Sequence, residues 1–243
     1  MTYLPGTASR RRIYLMRHGH VDYLAKHVVS EGAINVVPLT PRGRLQAQAA
    51  GAALAHVAFE RSLCSGYPRT HETASYVLAA QKVPPALEID EGLVEIAGGP
   101  MTPPPKSRDE LIERMKIRFS QAGNPAASNG DGGENYGQAQ ARAVAAIKRL
   151  LAAPGWHTAL IVAHEGINRL ILSWACGAGL AAMGAFEQDT GCINVLDFDL
   201  DGGAIARSMI KAVNLTPYNW LKHGMNLTSL EAIFERDATE ELR

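Results

Sequence analysis

The stretch that decides the fold is Ile13-Tyr14-Leu15-Met16-Arg17-His18-Gly19, an apolar run that ends in an arginine and a histidine. A second stretch has the same construction, because Ala159-Leu160-Ile161-Val162-Ala163 runs directly into His164. Apolar runs without polar alternation are typical of strands buried on both faces, as in parallel sheets covered by helices. Ligands of open α/β sheets bind at the carboxyl ends of the strands. The two runs therefore predict central strands whose histidines lie at the ligand-binding edge.

Helices and further strands are predicted around these two runs. Thr40 can cap a helix that has Pro41 at its first position, where the missing N–H of proline is harmless. An apolar stripe over residues 144–151 predicts another helix, which ends before Pro154-Gly155. Additional strands are predicted over residues 62–64, 192–198 and 204–213, with a helix opening near Arg69.

The segment from Ala97 to Glu134 differs in composition from the rest of the chain. It contains Pro100 and the run Pro103-Pro104-Pro105, a short helical stretch over residues 111–119 and the glycine-rich run Asn129–Gly133. Long loops inside a domain are usually lids or binding loops. We predict a single domain over residues 1–243, an α/β three-layer sandwich with a mostly parallel central sheet flanked by helices. The cap is inserted at about residues 97–134, and residues 1–11 are expected to be disordered.

Composition excludes several classes of partner. The chain has 243 residues, and its 24 basic and 24 acidic side chains cancel, so no overall field attracts nucleic acid or an anionic membrane. The three cysteines are far apart and form no C-x-x-C pair, which favours a reducing, cytoplasmic location. The apolar run after Arg12 has only four residues, too few for a signal peptide or a membrane span.

A histidine that directly follows an arginine at a strand end suits phosphoryl chemistry. A neutral imidazole is a nucleophile, and a guanidinium can hold phosphoryl oxygens in a bidentate fork. Gly19 is expected to let the phosphate approach closely. Arg69 and His164 supply further donors, so three cationic groups, Arg17, Arg69 and His164, are predicted around the phosphoryl group held by His18.

Several motifs along the chain together resemble the ordered motif series of the histidine phosphatase superfamily, whose fold is phosphoglycerate mutase-like. They are Leu15–Gly19, Leu39-Thr40 with Gly43 and Gln46-Ala47, Ser65–Arg69 with Thr73-Ala74, Leu93–Ile96, Gly132–Glu134 and Val162–His164. The resemblance extends from about residue 12 to about residue 168, and the order and spacing of the motifs are highly specific.

The resemblance implies a function and a role for each site residue. His18 becomes transiently phosphorylated, Glu95 acts as general acid and then general base, and Arg17, Arg69 and His164 bind the phosphate. Glu91 is a close competitor for the role of the acid. The implied reaction is hydrolysis of a small phosphorylated metabolite, with no metal and no cofactor. A homodimer is left open as an assembly.

The chain also departs from the family pattern on the substrate side. Val21 and Leu24 replace the small hydroxyl residue and the asparagine often found in mutases, which weakens a mutase assignment. Gly98-Gly99-Pro100 and Glu165 are further departures. From position alone, we expect Val21, Tyr23, the cap prolines and the segment near Tyr218-Asn219-Trp220 to shape selectivity.

Three alternatives are kept beside the phosphatase prediction. A phosphoglycerate-type phosphomutase would use the same pocket with water excluded. A binuclear zinc hydrolase would use His18-x-His20-x-Asp22, a spacing that places alternate side chains on a metal. The third alternative is a phosphate-binding protein without catalytic activity on the same scaffold.

Overall fold

The computed structural model describes residues 8–25, 28 and 33–234. The strands are β1 (Arg10–Arg17), β2 (Arg61–Cys64), β3 (Leu87–Ile89), β4 (Thr158–Ala163), β5 (Ile193–Asp201) and β6 (Ala204–Leu215). The α-helices are α1 (Pro41–Leu54), α2 (Pro68–Ala79), α3 (Arg108–Lys116), α4 (Tyr136–Ala152) and α5 (Glu165–Ala175). Short 3₁₀ helices cover Glu91–Leu93, Arg118–Gln121, Leu180–Ala185 and Glu231–Phe234.

All six strands form one sheet in the order β3-β2-β4-β1-β5-β6. The four strands β3, β2, β4 and β1 are parallel, whereas β5 runs antiparallel to β1 and β6 antiparallel to β5. The predicted mostly parallel α/β sheet is therefore confirmed. The two apolar runs that end in histidine are adjacent strands at its centre, β1 and β4.

Side chains of the central strands alternate between two hydrophobic layers. In β1, Ile13 and Leu15 pack in a cluster with α4 and α5, while Met16 packs in a second cluster with α1 and α2. In β4, Ile161 belongs to the first cluster and Leu160 to the second. Helices thus cover both faces of the sheet, as the lack of polar alternation predicts.

Strand β1 begins earlier than its apolar run. Arg12 donates from Nε and Nη2 to the two carboxylate oxygens of Asp197 on β5, both at 2.7 Å. Arg10 pairs in the same way with Asp199. These carboxylates compensate the charges, so the strand extends into a basic sequence. The expectation of disorder over residues 1–11 is therefore wrong for residues 10 and 11, and its first seven residues lie outside the described part of the chain.

Two predicted helix ends have the expected local chemistry. The Thr40 side chain accepts a hydrogen bond from the Gly43 N–H at 3.1 Å, and α1 starts at Pro41. Helix α4 ends at Ala152, before Pro154 and a glycine at residue 155 with φ of +79°.

The segment over residues 97–134 lies beside the carboxyl ends of the parallel strands. Its helix is α3, which starts earlier than predicted because Ser107 accepts from the Glu110 N–H at 3.1 Å. The helix also ends earlier, at Lys116, and a 3₁₀ turn follows it. Among the described residues, no helix combines the length and the apolar character needed to cross a bilayer.

Candidate active site

The two central strands bring both histidines to one edge of the sheet. Arg17 pairs with Ala163 across β1 and β4, and the His18 N–H donates to the Ala163 carbonyl at 3.1 Å. His18 and His164 are each the first residue after their strand, and their ring centroids are 5.3 Å apart. The structure thus places the two histidines together as the sequence predicts.

Hydrogen bonding fixes the proton of His18. Its Nδ1 lies 2.8 Å from the Gly19 carbonyl oxygen, which can only accept, so Nδ1 carries the proton and Nε2 carries the lone pair. The side chain is 1% exposed and borders a cavity of about 1050 Å³. Burial, followed by the charges of Arg69 and Arg17, lowers the pKa of His18 well below 6.5. The imidazole is therefore neutral at pH 7.

Two buried guanidinium groups border the same cavity. Arg17 is 3% exposed and Arg69 is 2% exposed, and each Nε lacks a hydrogen-bond partner among the described residues. Arg69 donates from Nη1 to the carbonyl oxygens of Ile34 and Asn35 at 3.1 and 3.3 Å. Its guanidinium carbon lies 4.8 Å from the ring centroid of Tyr67. These contacts hold Arg69 in place. The Nε of each arginine keeps donor capacity for an anion.

His164 is buried and neutral in this structure. The side chain is fully buried behind His18, and its pKa is well below 6.5 because of burial and then the charge of Arg69. Arg17 and Arg69 are therefore the two charged members of the predicted set of three, and His164 is its neutral member; the expectation that it is cationic beside a phosphoryl group stays a prediction. His164 Nε2 lies 2.8 Å from Ser65 Oγ, and its Nδ1 lacks a hydrogen-bond partner among the described residues.

Glu95 lies on the cavity wall at the amino end of α5. Its carboxylate accepts hydrogen bonds from the N–H groups of Ile96, Gly166 and Ile167 at 2.9, 3.2 and 3.3 Å. Burial raises the pKa of Glu95 above its usual value although these N–H groups oppose the shift. Glu91, the competitor predicted from the sequence, is exposed in a 3₁₀ helix and does not border the cavity.

Arg142 of α4 fixes the loop that carries Glu95. Its guanidinium donates to the carbonyl oxygens of Val94 and Glu95 at 2.8 and 3.2 Å and pairs with Glu134 at 2.6 Å. A Cβ at Gly166 would lie 2.8 Å from Glu95 Oε1, so this position of α5 needs a glycine for the carboxylate to dock. Glu134, the glutamate of the Gly132–Glu134 motif, thus helps to fix the loop of Glu95 indirectly, because it pairs with Arg142.

Glu165 anchors a buried polar cluster that the sequence analysis did not identify. Its Oε2 lies 3.1 Å from Arg17 Nη1, and its Oε1 accepts from Arg169 Nη2 at 2.9 Å. Ser229 Oγ donates within the same cluster, 2.5 Å from Glu165 and 2.6 Å from Glu187. Arg169 also pairs with Glu187. This cluster connects the phosphate-binding edge of the sheet to the C-terminal segment.

One ion pair of this cluster could have been predicted from the sequence. The i,i+4 spacing of Glu165 and Arg169 on one helix favours an ion pair. Ser229 is 64 residues from Glu165 and carries no local signal. The hydroxyl of Tyr23, which the sequence indicates only as a selectivity residue, lies 3.4 Å from His18 Nε2.

Gly19 also has a packing role that its position in the sequence does not indicate. A Cβ at Gly19 would lie 2.4 Å from the Gly43 carbonyl oxygen, and a Cβ at Gly43 would lie 2.2 Å from the His20 carbonyl oxygen. The loop after β1 and the first turn of α1 are therefore in backbone contact. The glycines allow this contact, which positions the loop that carries His18.

The residues named for the zinc alternative have other partners. His20 Nδ1 lies 2.8 Å from Thr40 Oγ1, and the exposed Asp22 accepts from the Leu24 N–H at 2.9 Å. Over residues 8–25, 28 and 33–234, no group of three or more histidine, cysteine, aspartate or glutamate side chains is arranged to hold a metal ion. Within those residues, the H-x-H-x-D spacing therefore does not form a metal site.

Comparison with known families agrees with this geometry. Residues 13–211 match the model of the histidine phosphatase superfamily (branch 1). The match covers most of the chain, and the protein therefore belongs to the histidine phosphatase superfamily.

The relatives found by sequence are named phosphatases. An adenosylcobalamin/alpha-ribazole phosphatase of Escherichia coli (strain K12) is 29% identical over 192 residues, which are 77% of this chain and 90% of the relative. A 2-carboxy-D-arabinitol-1-phosphatase of Triticum aestivum is 26% identical over 219 residues, 88% of this chain and 42% of the relative. The protein is accordingly a phosphatase of this superfamily.

Solved structures share the fold. A mycobacterial glucosyl-3-phosphoglycerate phosphatase, solved as a complex with VO3, superposes with a TM-score of 0.67 at 22% identity and covers 84% of this chain and 99% of its own. The alpha-ribazole phosphatase of Shigella flexneri gives a TM-score of 0.61 at 23% identity, with 84% and 96% coverage. The predicted phosphoglycerate mutase-like fold is thus confirmed.

Proposed function

We propose that the protein hydrolyses the phosphomonoester of a small metabolite through a phosphohistidine on His18. The observation that carries this proposal is the neutral His18 imidazole, whose lone pair is on Nε2, between two buried guanidinium groups with free donor capacity. A nucleophile needs its lone pair, and a transferring phosphoryl group needs donors on its equatorial oxygens. Arg17 and Arg69 supply those donors.

In the first step, His18 Nε2 attacks phosphorus in line and the bond from phosphorus to the leaving oxygen breaks. The carboxyl group of Glu95 gives its proton to that oxygen, and the raised pKa of Glu95 favours the protonated form that this step needs. In the second step, a water oxygen attacks phosphorus, Glu95 takes the water proton, and His18 regains its lone pair. No metal takes part in either step.

His164 completes the pocket when the phosphoryl group is present. Thr70 Oγ1 donates to the Tyr67 carbonyl at 2.9 Å and lies 2.9 Å from Ser65 Oγ, so Ser65 donates to Thr70 and accepts from His164 Nε2. This leaves the lone pair of neutral His164 on Nδ1. A phosphoryl dianion nearby favours a proton on that atom, which makes His164 a third cationic donor only in the loaded site.

Hydrolysis is favoured over phosphoryl transfer between two positions of a sugar acid. The cavity of about 1050 Å³ has room for water beside the substrate. Leu24 borders it with an apolar side chain that cannot bind a phosphoryl oxygen. The named phosphatases among the relatives support the same choice. A cytoplasmic location and a homodimer stay predictions.

The test is release of phosphate from a panel of phosphorylated metabolites and from p-nitrophenyl phosphate. Wild type should release phosphate and should carry an acid-labile phosphoryl label after a brief quench, whereas His18→Ala should do neither. His56→Ala is the matched control, because His56 is exposed and does not border the cavity. Equal release by wild type and His18→Ala would refute the proposal, and so would loss of activity in EDTA.

A further inference from the structure

The cavity extends well beyond the phosphoryl-binding residues. Its volume of about 1050 Å³ exceeds what a phosphoryl group alone fills, and its far end is lined by residues of the cap and of the C-terminal segment. Five apolar residues line that end, and we call them the apolar slot. They are Leu111, Met115, Leu230, Ile233 and Phe234.

One wall of the apolar slot comes from the cap. Leu111 and Met115 are four residues apart on α3 and therefore lie on one face of the helix. No residue of α3 is fully buried, so this face borders the cavity instead of being enclosed in the core. Two half-buried apolar side chains that face a cavity leave apolar surface that a ligand can cover.

The opposite wall comes from the C-terminal segment, which is firmly attached. Ser229 is 4% exposed and is bonded to Glu165 and Glu187, so the chain is fixed immediately before Leu230. The guanidinium of Arg169, which also binds Ser229, lies 5.1 Å from the ring centroid of Phe119 in the cap. The buried cluster therefore holds the C-terminal wall close to both the phosphate-binding edge and the cap.

Polar contacts join the two walls. Arg108 of α3 donates from Nη2 to the Phe234 carbonyl oxygen at 2.6 Å, and Lys116 of α3 lies 3.2 Å from Glu231. These contacts connect the start and the end of α3 to the last described turn of the chain. Contacts within the protein thus hold both walls of the apolar slot in place.

The cations at this end of the cavity have protein partners. Arg118 donates to Met115 Sδ at 3.4 Å and to the Asn129 carbonyl at 3.3 Å, and Arg142 is paired with Glu134. Among the described residues that line the cavity, the other guanidinium groups are Arg17 and Arg69, at the phosphoryl end. The guanidinium groups of Arg118 and Arg142 are thus held by contacts within the protein, whereas the five side chains of the apolar slot offer contact area to an apolar leaving group.

We propose that the apolar slot receives the leaving group, and that the natural substrate is a phosphomonoester of an apolar alcohol. This inference rests on the proposed function, because it assigns the part of the substrate that leaves His18. The segment near Tyr218, which the sequence analysis named for selectivity, does not border this cavity, and Tyr218 instead donates to the Thr190 carbonyl at 2.8 Å. Residues 229–234 take that role.

Three aryl phosphates with leaving groups of similar acidity test the slot. They are phenyl phosphate, 2-naphthyl phosphate and 4-carboxyphenyl phosphate. A second apolar ring in a pocket changes kcat/KM on the order of tenfold or more. We expect 2-naphthyl phosphate to exceed phenyl phosphate by that factor, and 4-carboxyphenyl phosphate to be the poorest of the three.

Variants of slot residues test whether the apolar slot causes the preference for 2-naphthyl phosphate over phenyl phosphate. Leu111→Ala and Phe234→Ala should each lower kcat/KM for 2-naphthyl phosphate several-fold relative to phenyl phosphate, with inhibition by orthovanadate unchanged. Ile112→Ala is the matched control, since Ile112 is on the same helix, is half-buried and does not border the cavity. It should leave the ratio of the two substrates at the wild-type value.

The possible outcomes test the proposed role of the apolar slot and the proposed phosphohistidine reaction separately. Hydrolysis of all three esters at equal efficiency, or best hydrolysis of the carboxylated ester, would overturn the slot and leave the phosphohistidine proposal intact. An unchanged substrate ratio in both Leu111→Ala and Phe234→Ala would also overturn it. Hydrolysis of none of the three by wild type, with vanadate bound, would refute the proposed function and the slot with it.

Discussion

At the residue scale, the pKa values of His18 and Glu95 are shifted in opposite directions by the same burial. Burial disfavours whichever form is charged, so it lowers the pKa of the imidazole and raises that of the carboxyl group. The proposed nucleophile is then unprotonated and the proposed acid protonated over a common range of pH. Two residues that share one environment thus receive complementary roles from it.

Glu95→Gln should slow the release of poor leaving groups most. General acid catalysis contributes roughly 10²–10⁴-fold, so kcat for phenyl phosphate should fall by about that factor and kcat for p-nitrophenyl phosphate much less. Wild-type kcat/KM should decline as pH rises through the raised pKa of Glu95, and this decline should be absent in the variant. Steady-state rates between pH 4 and 9 measure both effects, and a decline that persists in Glu95→Gln would assign it to another group.

Glu165→Gln should separate anion affinity from stability. The Glu165 carboxylate partly neutralises Arg17, so its removal should strengthen inhibition by orthovanadate several-fold. The variant also breaks the buried pair with Arg169, which typically costs about 3 kcal/mol of the free energy of unfolding. Vanadate inhibition and urea unfolding report the two effects. Glu113→Gln, at an exposed carboxylate of α3, is the control. Weaker vanadate binding would show that Glu165 mainly orients Arg17.

At the element scale, the contact between the loop after β1 and helix α1 controls where His18 lies. Gly43→Ala places a Cβ 2.2 Å from the His20 carbonyl oxygen, so the loop or the helix must move. Forced overpacking of this kind costs about 1–3 kcal/mol, and we expect the upper part of that range. Because the displaced loop carries the nucleophile, kcat should fall as well.

Urea unfolding and kcat for p-nitrophenyl phosphate test this contact. Gln48→Ala is the matched control, because Gln48 is exposed on the same helix and alanine is a better helix former. Gln48→Ala should be as stable and active as wild type. A Gly43→Ala protein with wild-type stability would show that the backbone adjusts at no cost.

Elements whose signals are local could be predicted from the sequence. The runs that form β1 and β4 have apolar side chains at successive positions, and Thr40-Pro41 carries its own cap chemistry. Strand β3 could not be predicted, since its three residues are only half-buried or exposed and are defined by pairing with β2. The first residues of β1 depend on carboxylates about 185 residues away.

The same distinction applies to the site. Arg17, His18 and Arg69 follow strand ends in the sequence, so the fold class already places them together. The pairing of His164 with Ser65, the pairing of Arg17 with Glu165 and the position of Ser229 depend on contacts between distant segments. No periodicity or spacing encodes such contacts. The grouping of Arg17, His18 and Arg69 could therefore be predicted from the sequence, whereas the residues of the proposed apolar slot could not.

At the scale of the whole molecule, two buried neutral histidines make stability depend on pH. The pKa values of His18 and His164 are both well below 6.5 in the folded protein, whereas the unfolded chain protonates them at about that value. Below pH 6.5 the unfolded state binds more protons. The free energy of unfolding should therefore fall with decreasing pH, by at most about 1.4 kcal/mol per pH unit for each histidine, until the folded pKa is reached.

Urea unfolding at pH 5.5 and pH 7.5 measures this dependence. His18→Asn removes one of the two groups and should reduce the difference between the two pH values, whereas His56→Asn, at an exposed position, should not. Identical pH dependence in the wild type and both variants would place the proton linkage elsewhere in the protein.

The attachment of the C-terminal segment has a consequence for how this protein can diversify. The proposed nucleophile follows β1 of the sheet, whereas residues 108–116 and 229–234, which carry the proposed apolar slot, lie outside the sheet. Mutations in those two stretches can change which alcohol is accepted while the nucleophile and the folding core stay as they are. Descendants of one ancestral gene can thus acquire new substrates through small steps in a tail and a lid, each tolerated because the shared reaction continues throughout.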